Sequence, residues 1–138
     1  MKPNDQVYRW MTPSPLVVSR DATVATAFDL MEQHAIRHLP VLDRGDLVGM
    51  VSATDLAFVK RFADPEATLV SEAMSTPPYV AHPSTPLDEV AGAMARQRLG
   101  SAIIVESGNV VGVFTAVDAL RAIAGDRDGR PEDAATIA

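Results

Sequence analysis

Two stretches of the chain close an apolar run with a hydroxyl residue and place an aspartate three positions later. They are Gly49-Met50-Val51-Ser52-Ala53-Thr54-Asp55 and Gly112-Val113-Phe114-Thr115-Ala116-Val117-Asp118. Each reads as a strand running into a helix. A hydroxyl at a helix start can cap a backbone N–H, and it can also meet a phosphate, because the positive end of the helix lies there. An ionised aspartate one turn on is acceptor-only, so it can take both hydroxyls of a ribose. The same spacing also describes a capping box, in which the acid only satisfies the helix end. Capping boxes favour Glu or Gln at that place, whereas here the acid is Asp both times. Ser52, His38 and Asp55 together invite a hydrolase reading, but no strained nucleophile elbow accompanies them and the serine opens the helix that carries the aspartate. His34 and His38 stand four apart, a metal-pair spacing on a helix, yet Pro40 marks the second as a strand residue. No catalytic or metal site is expected.

The two stretches belong to a longer repeat. Val7, Met11, Pro15, Val17, Met31, Gly45, Val48, Gly49, Ala53 and Asp55 recur as Val70, Met74, Pro78, Val80, Met94, Gly108, Val111, Gly112, Ala116 and Asp118, always 63 positions on. No gap intervenes. A supersecondary unit repeated at this length cannot bury its apolar face alone, so the copies are expected to pack on each other, with function at the paired clefts of their seam.

The elements follow in the same order in each copy. Residues 16–18 form a short apolar run after Pro13 and Pro15, read as a strand. Asp21, Ala22 and Thr23 offer helix caps before Val24, Ala27, Phe28 and Met31, which stand at helical spacing. A hairpin is expected from strands at 38–42 and 47–51 around Asp43-Arg44-Gly45-Asp46. Ser52 or Thr54 then caps a helix with Leu56, Val59 and Phe62. The second copy has a strand at 79–81, a helix opened by Ser84, Thr85 and Pro86, a hairpin over 101–114 and a helix over 116–124. Each unit is therefore β-α-β-β-α. Short helical leads at 5–11 and 68–74 precede the two copies. The domains expected are 1–63, the first repeat with its lead helix; 64–124, the second repeat; and 125–138, a tail poor in apolar periodicity and expected to be mobile.

Totals narrow the function classes. The 138 residues suit one shared core, because halves of about 60 residues would each be marginal alone. Hydrophobic residues make up 47% and aromatic ones only 5%, so that core must be aliphatic. A net charge of −6 argues against nucleic acid, whose backbone needs clustered Lys and Arg. Cysteine is absent, which removes thiol catalysis and thiolate metal sites and fits a cytoplasmic protein. No apolar run approaches the roughly 20 residues that span a bilayer, and residues 1–9 lack the apolar stretch of a signal peptide.

Taken in order and in duplicate, these features resemble the CBS domain family, named after cystathionine β-synthase. The resemblance rests on Met11-Thr12-Pro13, on Arg37-His38-Leu39-Pro40-Val41, on Leu47-Val48-Gly49 and on the two Ser/Thr-x-x-Asp endings, and it covers residues 7–123. It implies an α/β (α+β) tandem CBS-domain pair, or Bateman module, whose repeats are related by pseudo-twofold symmetry and bind an adenosyl small molecule between them. AMP, ADP, ATP and S-adenosylmethionine are the usual occupants, and none is a required cofactor. Asp55 and Asp118 match the family's ribose-binding aspartates, with Ser52 and Thr115 as hydroxyl partners and Thr54 as a phosphate contact. Arg37 and His38 match bases directed at phosphate, although the commoner order is His then Arg. The second copy has Gly100-Ser101 there and Ile103 in place of Pro40, so the two clefts are expected to be inequivalent. Val18, Leu39 and Pro40, with Ala81, Ala102 and Ile103, hold the strand positions of the adenine slot.

The function implied is a non-enzymatic regulatory sensor of an adenine nucleotide, with a homodimer as its assembly and a change of oligomer or of an unidentified protein partner as its output. The alternatives are a ligand-free dimerisation scaffold, or a binder of S-adenosylmethionine, NAD or a cyclic dinucleotide.

Overall fold

The computed structural model describes residues 5–13 and 16–125. In chain order it has a 3-10 turn at Val7–Arg9, β1 (Thr12–Pro13), β2 (Val18–Ser19), α1 (Val24–His34), β3 (His38–Asp43), β4 (Asp46–Ser52), α2 (Ala53–Phe62), α3 (Val70–Ala73), β5 (Val80–Ala81), α4 (Leu87–Gln97), β6 (Ser101–Glu106), β7 (Asn109–Thr115) and α5 (Ala116–Ala124). The mixed α+β order β-α-β-β-α thus occurs twice. The first lead is a three-residue turn followed by a strand rather than a helix, and the second is a helix of only four residues.

Local chemistry accounts for most boundaries. The Thr23 hydroxyl accepts the Thr26 N–H at 3.1 Å and opens α1. Pro86, lacking an N–H, stands at the N-cap of α4, and the Thr85 hydroxyl instead accepts from the His82 N–H at 3.0 Å. Both hairpins turn through two residues of positive φ, Arg44-Gly45 and Ser107-Gly108, the mirror-image turn whose twist suits paired strands.

The chain divides into two compact units, one of residues 16–78 and one of residues 5–13 with 79–125. In the first, the sheet order is β2-β3-β4, with β2 parallel to β3 and β3 antiparallel to β4. Val24, Ala27, Met31, Leu39, Val41, Val51, Leu56 and Val70 are buried in it. Its lead is tied in by backbone bonds from Val24 N to Thr68 O and from Val70 N to Ala22 O, each 2.8 Å. In the second unit the order is β1-β7-β6-β5. Its core gathers Val7, Trp10, Leu87, Val90, Met94, Ala102, Ile104, Phe114 and Ala122.

The packing units therefore differ from the sequential division at 63/64. Residues 5–13 complete the unit of the second repeat: Val7 and Trp10 enter its core, β1 pairs with β7, and Leu87 N donates to Asp5 O at 2.8 Å. Residues 64–78 complete the unit of the first repeat. The physical reason is that each lead supplies the backbone partners and apolar side chains that the other repeat's sheet edge lacks. Of the expected tail, Gly125 closes α5 with φ 68°, and 126–138 lie outside the described residues.

Candidate functional site

In each unit the polar candidates gather where the second strand of the hairpin runs into the helix that follows it. In the unit of residues 16–78, Ser52 leaves β4 with extended backbone and caps α2. Its hydroxyl accepts the Asp55 N–H at 3.1 Å, and Asp55 Oδ2 accepts the Ser52 N–H at 2.9 Å. In the other unit, Thr115 and Asp118 repeat the arrangement at the start of α5, with Thr115 N donating to Asp118 Oδ2 at 2.9 Å and Asp118 N donating to Thr115 Oγ1 at 3.3 Å. Both are reciprocal capping boxes. An Asp in place of Glu closes the box within one turn and holds its carboxylate at the positive end of the helix.

The two ends differ in how much of the carboxylate is engaged. Asp118 is only 3% exposed. Its Oδ2 also accepts from the Thr115 hydroxyl at 3.1 Å, and its Oδ1 lies 3.6 Å from Arg121 Nη1. Asp55 is half-buried, and the position matching Arg121 holds the exposed Phe58.

Strand register supplies the neighbours. His38 opens β3 opposite Ser52, and Arg37 O accepts the Ala53 N–H at 2.8 Å, so Arg37 and His38 stand beside the α2 N-terminus. Burial pushes the His38 imidazole below its ordinary value of 6.5; the Arg37 charge pushes the same way and Asp55 opposes it. His38 is therefore neutral at neutral pH, and Arg37 is the cationic side chain of this pair. In the other unit, Ser101 pairs with Thr115 and Gly100 O accepts the Ala116 N–H at 3.0 Å. The frame is the same without the basic pair. Thr54 is exposed on the first turn of α2, as is its counterpart Val117 on α5.

The expected apolar slot is split by the pleat. Paired residues share a face, so Val18, opposite Val41, lies with Leu39 on one face of its sheet, and Pro40 lies on the other with His38, Met50 and Ser52. Likewise Ala81, opposite Ile104, lies on the face of the helix-packed core with Ala102, whereas Ile103 lies on the reverse face with Ser101, Val113 and Thr115. Register thus groups Pro40 and Ile103 with the polar candidates and sets Val18, Leu39, Ala81 and Ala102 apart from them. Met50 and Val113 join the polar face without having been singled out from the sequence. Strand alternation alone would have found them only if the hairpin register were known, and a bulge at Val41/Leu42 and at Ile104/Val105 shifts it.

His82 lies elsewhere. Its Nδ1 is 2.7 Å from Ser84 Oγ and its Nε2 is 3.4 Å from Glu106 Oε2. Glu106 closes β6 at the hairpin, the far end from Ser101 and Thr115.

The CBS domain family model matches the chain twice, at residues 6–60 and 70–125. The chain belongs to the CBS domain family. Among CBS proteins, it is 32% identical over 109 residues to the CBS domain-containing protein YhcV of Bacillus subtilis, covering 78% of either chain. It also matches an inosine-5'-monophosphate dehydrogenase of Korarchaeum cryptofilum, 34% identical over 104 residues, and there spans only 21% of the relative's length. The CBS domain pair of protein MJ0100 in complex with 5'-methylthioadenosine and S-adenosyl-L-methionine superposes with a TM-score of 0.81 at 26% identity, over 89% of this chain and 98% of that one. CBSX2 in complex with AMP superposes with a TM-score of 0.72 at 26% identity, over 87% and 96%.

Proposed function

We propose that this chain is a cytoplasmic, non-enzymatic regulatory module that senses an adenine nucleotide, AMP, ADP or ATP. The observation that carries this reading is that two of the structures it resembles along most of its length, the MJ0100 CBS pair and CBSX2, were solved with ligands that share an adenine-ribose moiety. In this reading Asp55 and Asp118 accept ribose hydroxyls with the oxygen capacity left beyond the capping boxes. Ser52, Thr54 and Arg37 meet phosphate at the α2 N-terminus, with neutral His38 as a hydrogen-bonding neighbour. Pro40 in one unit and Ile103 in the other each pack against a base at their own strand end, while Val18 and Ala81 hold the strands from the core side. The end carrying Arg37 suits a phosphorylated ligand. The end with Gly100 and Ser101 suits a nucleoside or the cationic S-adenosylmethionine. Binding reports only if the ligand prefers one state of the protein, and that state is read out through self-association as a homodimer or through a protein partner.

A second reading, a ligand-free dimerisation module, draws on two observations. Both aspartates are already engaged in capping boxes, and α5 leaves Val117, Leu120 and Ile123 at least 55% exposed. A thermal-shift panel of AMP, ADP, ATP, S-adenosylmethionine, NAD and cyclic dinucleotides separates the two. At about a hundredfold excess over Kd a bound ligand adds roughly 2.7 kcal/mol, a rise of several degrees. A selective shift with an adenine nucleotide is the expected result. A flat panel overturns the sensor and leaves the scaffold.

A further inference from the structure

Among the described residues, two methionines occupy equivalent sockets, one in each unit. A carbon built on Gly49 would lie 2.6 Å from Met74 Sδ and 2.9 Å from Ser75 O. One built on Gly112 would lie closer still to Met11 Sδ and 3.0 Å from Thr12 O. Neither glycine has a positive φ, so each is needed for room, and the room is filled by a thioether. Each methionine stands next to the backbone that fastens its lead to the sheet. Met50 and Ser75 exchange hydrogen bonds of 3.0 and 2.8 Å beside Met74, and Thr12 and Pro13 pair with Val113 and Gly112 beside Met11. Met11 also packs against the core that its lead completes. Both methionines are half-buried, whereas Met31 and Met94 are 5% and 4% exposed.

We propose that Met11 and Met74 form a paired oxidation site through which a peroxide-class oxidant loosens the two leads. A sulfur lone pair attacks one peroxide oxygen, the S–O bond forms and the O–O bond breaks. The departing hydroxide takes the remaining proton and leaves as water. Sulfur is oxidised by two electrons and the peroxide is reduced. The sulfoxide is larger, polar and chiral, and it no longer fits a socket shaped to an apolar thioether against a glycine. The lead then gives way, and with it β1 and the Ser75 bridge. Sulfoxide reductases, drawing two electrons from a dithiol, reverse the change. This inference is independent of which ligand the module senses.

The test treats the full chain with graded hydrogen peroxide, quantifies sulfoxide at each methionine by peptide mass spectrometry and follows the melting temperature of the same samples. Met11 and Met74 should gain oxygen before Met31 and Met94, with the melting temperature falling by several degrees in step and recovering after both sulfoxide reductases and dithiothreitol. The Met11→Leu, Met74→Leu double variant should keep its melting temperature at the same peroxide dose, and Met50→Leu should still lose it. Equal oxidation at all sites overturns the proposal, as does sulfoxide at Met11 and Met74 with unchanged melting, or protection by Met50→Leu instead. Should the double variant fail to fold, the site order and melting of the natural chain still decide.

Discussion

Asp55 and Asp118 hold the same place in two capping boxes, but their surroundings set different expectations. If they accept ribose hydroxyls, Asp55→Ala should weaken nucleotide by about 1.5–3 kcal/mol, roughly 10- to 100-fold in Kd by calorimetry. Asp118, 3% exposed and faced by Arg121, has less acceptor capacity to spare, so Asp118→Ala should show mainly as lost stability. The loss of a cap costs about 0.5–2 kcal/mol. Unchanged affinity in both variants would end the ribose assignment. His38 makes a separate prediction. Its pKa is held below 6.5 by burial, so the unfolded chain binds a proton that the folded chain refuses. That contribution is fully present above the ordinary value and is lost as pH falls through the folded one. The melting temperature should drop between about pH 7.5 and about pH 5.5, and His38→Gln should flatten the difference.

At the level of elements, the strand ends depend on close approach. Gly112→Ala would press a methyl group into Met11 and toward Thr12 O, which belongs to paired backbone and yields little. Overpacking of this kind costs about 1–3 kcal/mol, visible as a lower urea midpoint with an unchanged slope. Gly45→Ala has open space around its Cβ but a φ of 88°, so its cost is conformational. The contrast shows how a spacing of glycines that recurs in both copies, Gly45 with Gly49 and Gly108 with Gly112, serves two purposes within a repeat. The turn glycines are legible from their hairpins. The sockets are not, because the contact between Gly112 and Met11 joins segments distant along the chain.

For the whole molecule, association is the open output. Among the described residues α5 exposes Leu120 at 64% and Ile123 at 66%, and α2 exposes Phe58 and Phe62 at 65% and 67% with their rings 4.8 Å apart. Apolar side chains at helical spacing and this exposed suit burial against a second copy. Leu120→Glu with Ile123→Glu should convert a dimer to monomer in light scattering after size exclusion, with little change in far-UV circular dichroism. An unchanged mass would remove α5 from the interface. Among the described residues no helix is long and apolar enough to cross a membrane.

The sequence by itself determined the repeat, the order β-α-β-β-α in both copies, the hairpin turns around Gly45 and Gly108, and a hydroxyl cap at the start of the helix after each hairpin. Each of these depends on residues within one turn or one hairpin, where side-chain chemistry acts on its own backbone. The tertiary structure alone decided three things. The bulge at Val41/Leu42 pairs His38 with Ser52, where an unbroken count from the turn would have paired Arg37. The pleat then parts Pro40 from Val18, and Ile103 from Ala81. The leads settle in the units of the opposite repeats, since Val7 and Trp10 are buried only where a sheet edge and a helix await them. Register and burial are properties of the partner as much as of the segment, and one repeat, read alone, does not name its partner.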